Sequence, residues 1–256
     1  MNCEWEDILK QAGQLMLSYA APAVTEKEGH ANFVTEGDVA VQAFLMEALS
    51  RRYPEAAFMG EEEEEHHLSD GLCFIIDPID GTTNYMRHRR SSMISVGLVE
   101  NGKAVQGALY DPYRDELYHA ARGQGAWCND NRLQVSDFPP EKGLVMFGTA
   151  PYRQDLAEVT CRSALAMLRL CGDLRRSGSA CVDLCDVAAG RAEAMFEWIS
   201  MPWDYCAASV LVTEAGGRMG SILSDELPMD HPTPILAAVP RAYDRLRAAL
   251  LEARNG

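Results

Sequence analysis

The chain has no apolar run approaching the roughly 18 consecutive residues of a membrane span, which excludes a spanning helix. Its first residues include Glu4, Glu6 and Asp7 where a secretory leader would be basic. A cytoplasmic location without a membrane partner is therefore expected. Basic residues are also scarce: 23 Lys and Arg against 38 Asp and Glu leave a formal charge of −15. That balance argues against a nucleic-acid backbone as the main partner, since such binding depends on clustered cations. The eight cysteines, at positions 3, 73, 128, 161, 171, 181, 185 and 206, include no Cys-x-x-Cys pair, so zinc and dithiol sites of that type are excluded and reduced core thiols are expected. Cys181 and Cys185 stand one helical turn apart, but among Ala180, Val182 and Leu184 that spacing reads as packing.

What is present is ample core material. Of 256 residues, 47% are hydrophobic, enough for one large domain or two intimately packed ones. The organising stretch is 72–85, where apolar residues end abruptly in two carboxylates and a glycine turn. Phe74, Ile75 and Ile76 are β-formers too few for a helix, so a strand covered on both faces is expected, and Pro78 should stop its ladder. Asp77 and Asp80 then emerge together at the strand's end. Gly81 allows close backbone approach, and the N–H groups of Gly81, Thr82 and Thr83 form an anion cradle if the segment opens a helical turn. Carboxylates beside an anion cradle imply a metal between them. Hard oxygen ligands suit Mg²⁺, which binds through one or two carboxylates and substrate phosphate oxygens. On Asp-Gly alone, a helix cap and a plain turn would account for the same residues.

The whole string Asp77-Pro78-Ile79-Asp80-Gly81-Thr82-Thr83-Asn84 closely resembles the signature of the inositol monophosphatase family of metal-dependent phosphatases. Further segments resemble that family in the expected order. They are Val34-Thr35-Glu36-Gly37-Asp38, Gly60-Glu61-Glu62, Gly178-Ser179-Ala180, and the second signature, Trp203-Asp204 followed by Glu214-Ala215-Gly216-Gly217. The resemblance spans nearly the whole chain and implies an α/β fold of αβαβα layers, dependence on two or three Mg²⁺ ions, lithium sensitivity and a homodimer.

It implies as metal ligands Glu61, Asp77, Asp80, Asp204 and the Ile79 carbonyl. Asp38 and Thr82 would orient the attacking water, with Glu61 counted beside them as catalytic. N–H groups at Gly81 and Thr82 would hold the phosphate. Gly178, Ser179, Ala180 and Glu197, seven residues before Asp204, would border the substrate together with Asp80 and Asp204. Lys27 falls at the spacing of a mobile-loop lysine. The implied activity is hydrolysis of a small phosphorylated polyol or sugar, with inositol monophosphate foremost, by metal-activated water and without a phosphorylated residue. Fructose bisphosphate, histidinol phosphate and nucleotide 3′-phosphates are alternatives within the fold, and binding to transcription machinery is an alternative of another class.

Periodicity predicts amphipathic helices over 4–19, with Pro22 beyond the first, and over 38–53, where Asp38 is a plain N-cap on the bland reading. An irregular connection with Gly29, Asn32 and Gly37 joins them. Strands are expected over 93–99 and 103–110 around an Asn101-Gly102 hairpin turn, with another over 116–120. Pro139-Pro140 marks the internal boundary, dividing an N-terminal half, 1–140, from a C-terminal half, 141–256, within one compact unit. The second half is expected to alternate: a strand over 144–148, helices over 155–170 and 180–189, a strand over 234–239 and a helix opened by Pro240. Glu63 to Glu65 read as solvated charge and His66-His67 as exposed. The loop Met86-Arg87-His88-Arg89-Arg90 departs from the family's usual aromatic and proline-containing sequence. Its arginines form a solvated loop or, in the sharper reading, recognise a second anionic group of the substrate.

Overall fold

A computed structural model describes residues 3–19, 23–27, 31–63, 65–224 and 226–255. Pro22, Gly29 and Glu64 lie outside the described residues. The first half runs α1 (Glu6–Ser18), β1 (Val24–Glu26), β2 (Phe33–Thr35), α2 (Glu36–Arg52), β3 (Ala57–Gly60), β4 (Leu72–Asp80), α3 (Thr82–Met86), β5 (Met93–Glu100), β6 (Lys103–Asp111), β7 (Glu116–Ala121), β8 (Ala126–Cys128) and β9 (Asn131–Arg132). The second half runs β10 (Leu144–Phe147), α4 (Ala157–Leu168), β11 (Asp173–Arg175), α5 (Ala180–Ala188), β12 (Ala194–Ser200), α6 (Pro202–Glu214), β13 (Arg218–Ser221), β14 (Thr233–Ala238) and α7 (Pro240–Asn255).

Strands β3 to β9 form a seven-stranded sheet in sequential order, and the second sheet has the order β11-β10-β12-β14-β13. Side-chain alternation along β4 shows how the layers arise, because successive residues of a strand face opposite sides. Phe74 and Ile76 pack with Leu9 and Met16 of α1 and Leu45 and Leu49 of α2. Cys73 and Ile75 face the other way, onto α5 and α6. Those two helices cover the inner face of the second sheet through Met195, Ile235 and Ala237, while Phe196, Leu236 and Ala238 pack outward on α4 and α7. The result is the expected αβαβα stack.

Three expectations need correction. The β4 ladder does not stop at Pro78: it runs on to Asp80 with a register shift between Asp77 and Asp80. A bulge there leaves proline's missing N–H without a partner to lose. The N-cap of α2 is Thr35, not Asp38; Thr35 accepts from the N–H groups of Gly37 and Asp38, and Asp38 returns the bond to the Thr35 N–H. The region expected as one helix over 155–170 opens with a 3₁₀ turn, Gln154–Leu156, before α4. All eight cysteines are free thiols, with Cys181 and Cys185 buried in the middle layer.

Candidate metal and phosphate site

The site forms where β4 ends between two helix N-termini. Pairing with β5 brings β4 out to Asp80, and the bulge carries Asp77 and Asp80 to the same edge. Gly81 then takes a left-handed φ of 87°, and α3 begins at Thr82. Glycine suits that turn because it adopts positive φ without strain. A Cβ on Gly81 would also lie 3.1 Å from the Ser179 Cβ and 3.1 Å from the Ser91 carbonyl.

Asp80 and α5 are locked together. One Asp80 oxygen accepts from the Ser179 hydroxyl and from the Cys181 N–H at 2.7 Å. Ser179 also caps α5 by accepting from the Val182 N–H at 3.2 Å. Two N–H groups of the helix entrance are thus already engaged, so an anion meeting Gly178, Ser179 and Ala180 has the remaining surface of the turn to contact. Asn84 pins the turn by donating to the Ser177 carbonyl at 3.0 Å. Asp204 sits in the first turn of α6 and accepts from the Met201 N–H at 2.8 Å.

One carboxylate oxygen from each of Asp77, Asp80 and Asp204 lies within 4.8 Å of the others. Burial raises the pKa of all three; it is opposed at Asp80 by the bonds from Ser179 and Cys181, and at Asp77 and Asp204 it is joined by repulsion from neighbouring carboxylates that holds them well above the ordinary range. Among the described residues none of the three has a Lys or Arg within ion-pair distance. Buried carboxylates without counter-charge cost several kcal/mol each, and this set is built wholly of oxygen, so a hard divalent cation fits it. Glu61 adjoins them after β3, its pKa pushed up to about 8 by burial and by Glu62 and Asp38 against the pull of Lys27. The Ile79 carbonyl is turned into the same region, where it accepts from Thr82 Oγ1 at 3.3 Å. Thr82 Oγ1 also lies 3.5 Å from Asp38 Oδ1, so the expected Asp38–Thr82 pair is brought together. Burial pushes Asp38 up to about 6.

Apart from Asp38, which lies buried behind Thr82, these groups line one cavity of about 790 Å³, which also takes in Lys27, Gly178, Ser179, Ala180 and Glu197. Lys27 lies 2.6 Å from Glu62 and 3.7 Å from Glu61. Glu197, in the middle of β12, accepts from the Ala150 N–H at 3.1 Å and the Ser200 hydroxyl at 3.3 Å. Burial pushes it up to about 7.

Several expectations fail here. His66 is not exposed; its ring packs 4.6 Å from that of Trp203 and lines the cavity. Glu63 is not solvated surface, since it folds back to accept from the Gly60 N–H at 2.9 Å. Arg87, Arg89 and Arg90, by contrast, are exposed as the solvated-loop reading expects, and they lie outside the cavity lining. The lining instead includes Tyr152, Arg176 and Asp183, none of them singled out from the sequence. For Asp183 a signal existed, four residues after Ser179 on the same helical face; for Tyr152 there was none.

Five layers with a cluster of three aspartates in the cavity at the end of β4 define the class: the layered fold of metal-dependent phosphatases. The model of the inositol monophosphatase family matches residues 4–255, and the chain belongs to that family. It is 32% identical to Nus factor SuhB of Salmonella typhimurium over 94% of this chain and 95% of that protein. It is 35% identical to an inositol-1-monophosphatase of Synechocystis over 89% of this chain and 79% of that one. Among solved structures, an IMPase of Thermotoga maritima superposes with a TM-score of 0.88 at 26% identity, covering 98% of this chain and 96% of that chain.

Proposed function

We propose that this protein is a Mg²⁺-dependent phosphomonoesterase that hydrolyses a small phosphorylated polyol, inositol monophosphate foremost. The observation that carries this reading is the convergence of Asp77, Asp80 and Asp204 within 4.8 Å, beside Glu61 and with no Lys or Arg among the described residues in ion-pair contact with the three aspartates. Glu61, Asp77, Asp80, Asp204 and the Ile79 carbonyl would hold two or three Mg²⁺ ions. When bound, the metal lowers the pKa of an attacking water and neutralises charge on the leaving alkoxide.

The remaining work falls to the chain's own groups. The Thr82 hydroxyl directs its proton toward Asp38 Oδ1, 3.5 Å away, and its oxygen accepts from the water that the pair orients. N–H groups at Gly81 and Thr82 face the phosphate. Ser179 and Cys181 hold Asp80 in one rotamer, so that its free oxygen stays aimed at the site. Glu197, Gly178 and Ala180 border the polyol, whose hydroxyls need acceptors and a close-fitting wall. Lys27 tethers the Glu61–Glu62 segment. Both halves, 1–140 and 141–256, supply residues to the cavity, as one unit would require.

The test is phosphate release from myo-inositol 1-phosphate, fructose 1,6-bisphosphate, histidinol phosphate and adenosine 3′,5′-bisphosphate, each with Mg²⁺ or chelator. Turnover abolished by chelator supports the reading; no release from any compound sinks it. A relative named Nus factor, at 32% identity over nearly the full length, favours a second role in binding transcription machinery. Such binding should survive Asp80→Asn in a pull-down, whereas catalysis should not.

A further inference from the structure

Arg176, exposed at the edge of the cavity, and the Tyr152 hydroxyl have no hydrogen-bond or ion-pair partner among the described residues. A third group there, Nε2 of His66, is buried and likewise unpartnered. Of the three, Arg176 carries a permanent charge. It stands directly before the turn that enters α5, and that turn is rigidly held. Ser177 donates its N–H to Asp183 at 3.3 Å and its hydroxyl to the Ser179 carbonyl at 2.9 Å, and its own carbonyl takes the Asn84 amide.

No acid forms an ion pair with Arg176, although its charge is close enough to Glu197 to pull against the rise in that acid's pKa. Glu197 accepts from Ala150 and Ser200, and Asp183 accepts from Ser177. The other cation in the cavity, Lys27, is taken by Glu62. A guanidinium left open on a fixed backbone offers a planar fork of N–H donors, the geometry that grips an oxyanion through two bonds. Arg87, Arg89 and Arg90 lie outside the cavity lining and are not placed to do this.

We infer that the substrate carries a second anionic group, phosphate or carboxylate, which Arg176 binds while the first phosphate sits at the aspartates. Tyr152 supplies a hydroxyl to the polyol between them. A cavity of about 790 Å³ lies within the range that holds ligands larger than a monophosphorylated ring. This inference rests on the phosphatase reading above but places doubly anionic compounds ahead of inositol monophosphate, making Arg176 a specificity residue.

The experiment compares fructose 1,6-bisphosphate and 6-phosphogluconate with myo-inositol 1-phosphate, in wild type, Arg176→Ala, Arg176→Lys and the triple variant Arg87→Ala, Arg89→Ala, Arg90→Ala. The wild type should prefer at least one doubly anionic compound by tenfold or more in kcat/KM. Arg176→Ala should cut that preference about tenfold, through KM, and Arg176→Lys should restore part of it. The triple variant should keep the wild-type ratio. Equal losses on single and double anions in Arg176→Ala, or no wild-type preference for either double anion, would overturn the inference. If no compound is hydrolysed, the reaction itself has been misread. Calorimetric Kd values for the same compounds, with the same tenfold criterion, then decide the role of Arg176 separately.

Discussion

Asp80 shows how much one side chain is asked to do. One oxygen is fully occupied by Ser179 and Cys181, which fixes the rotamer and leaves the other for the cavity. An asparagine in its place retains an acceptor for both donors but loses the charge. Asp80→Asn should therefore fold, with a melting temperature within a few degrees of wild type. Its phosphate release should fall by roughly a hundredfold or more, the scale for removing a preorganised electrostatic group. Near-normal activity would remove Asp80 from the site. Glu197 depends on its surroundings in a different way: a Cβ on Gly148 would lie 2.0 Å from the Glu197 carboxyl carbon. The missing side chain there is what lets a buried acid reach the substrate wall.

Among the elements, α5 and α6 carry the site and also form the middle layer, so their seating on the sheets sets the site's geometry. The close approach of α6 depends on glycines in the strands beneath it. A Cβ on Gly107 of β6 would lie 2.3 Å from the Ala207 carbonyl oxygen, and one on Gly97 of β5 would lie 2.4 Å from Cys206 Sγ. Overpacking at such a contact costs typically about 1–3 kcal/mol. Gly107→Val should lower the urea midpoint accordingly and reduce activity with it, because Asp204 moves with α6; an unchanged midpoint would refute the contact. Ser179→Ala tests the other helix. Loss of the cap costs about 1 kcal/mol and frees Asp80, so activity should fall by much more than the small drop in melting temperature alone explains.

Over the whole molecule, the buried carboxylates make stability depend on pH and metal. Burial holds Glu61 and Asp183 up to about 8 and Glu197 up to about 7. Groups whose folded pKa lies above the unfolded value bind protons more tightly in the folded state. Their contribution is therefore greatest at acid pH and is lost as pH climbs from the ordinary carboxylate range through the folded values. Chelator-treated protein should melt at a lower temperature at pH 8 than at pH 5.5. A shift of roughly 2–4 °C is expected for each kcal/mol at this chain length. Saturating Mg²⁺ should raise the melting temperature, and more at pH 8, where the carboxylates have lost their protons and bind it best. A metal effect independent of pH, or larger at pH 5.5, would contradict this account of the site.

Along the chain itself, local chemistry determined a good deal. The apolar run ending in Asp77 and Asp80, the Gly81 turn, the Asn101-Gly102 hairpin and Pro240 at the start of α7 each follow from backbone preferences that act over a few residues. They were legible for that reason, and so was the layered α/β fold through its signatures. Other features were decided only when distant segments met. Asp38, which completes the cap of α2 from its N3 position, also meets Thr82, 44 residues on. His66 was drawn into the cavity by Trp203. Arg176 lines the cavity while Arg87, Arg89 and Arg90 do not. Charge and composition are alike in those arginines; what separates them is which loop the packing of α5 brings to the end of β4, a long-range contact that no local pattern encodes.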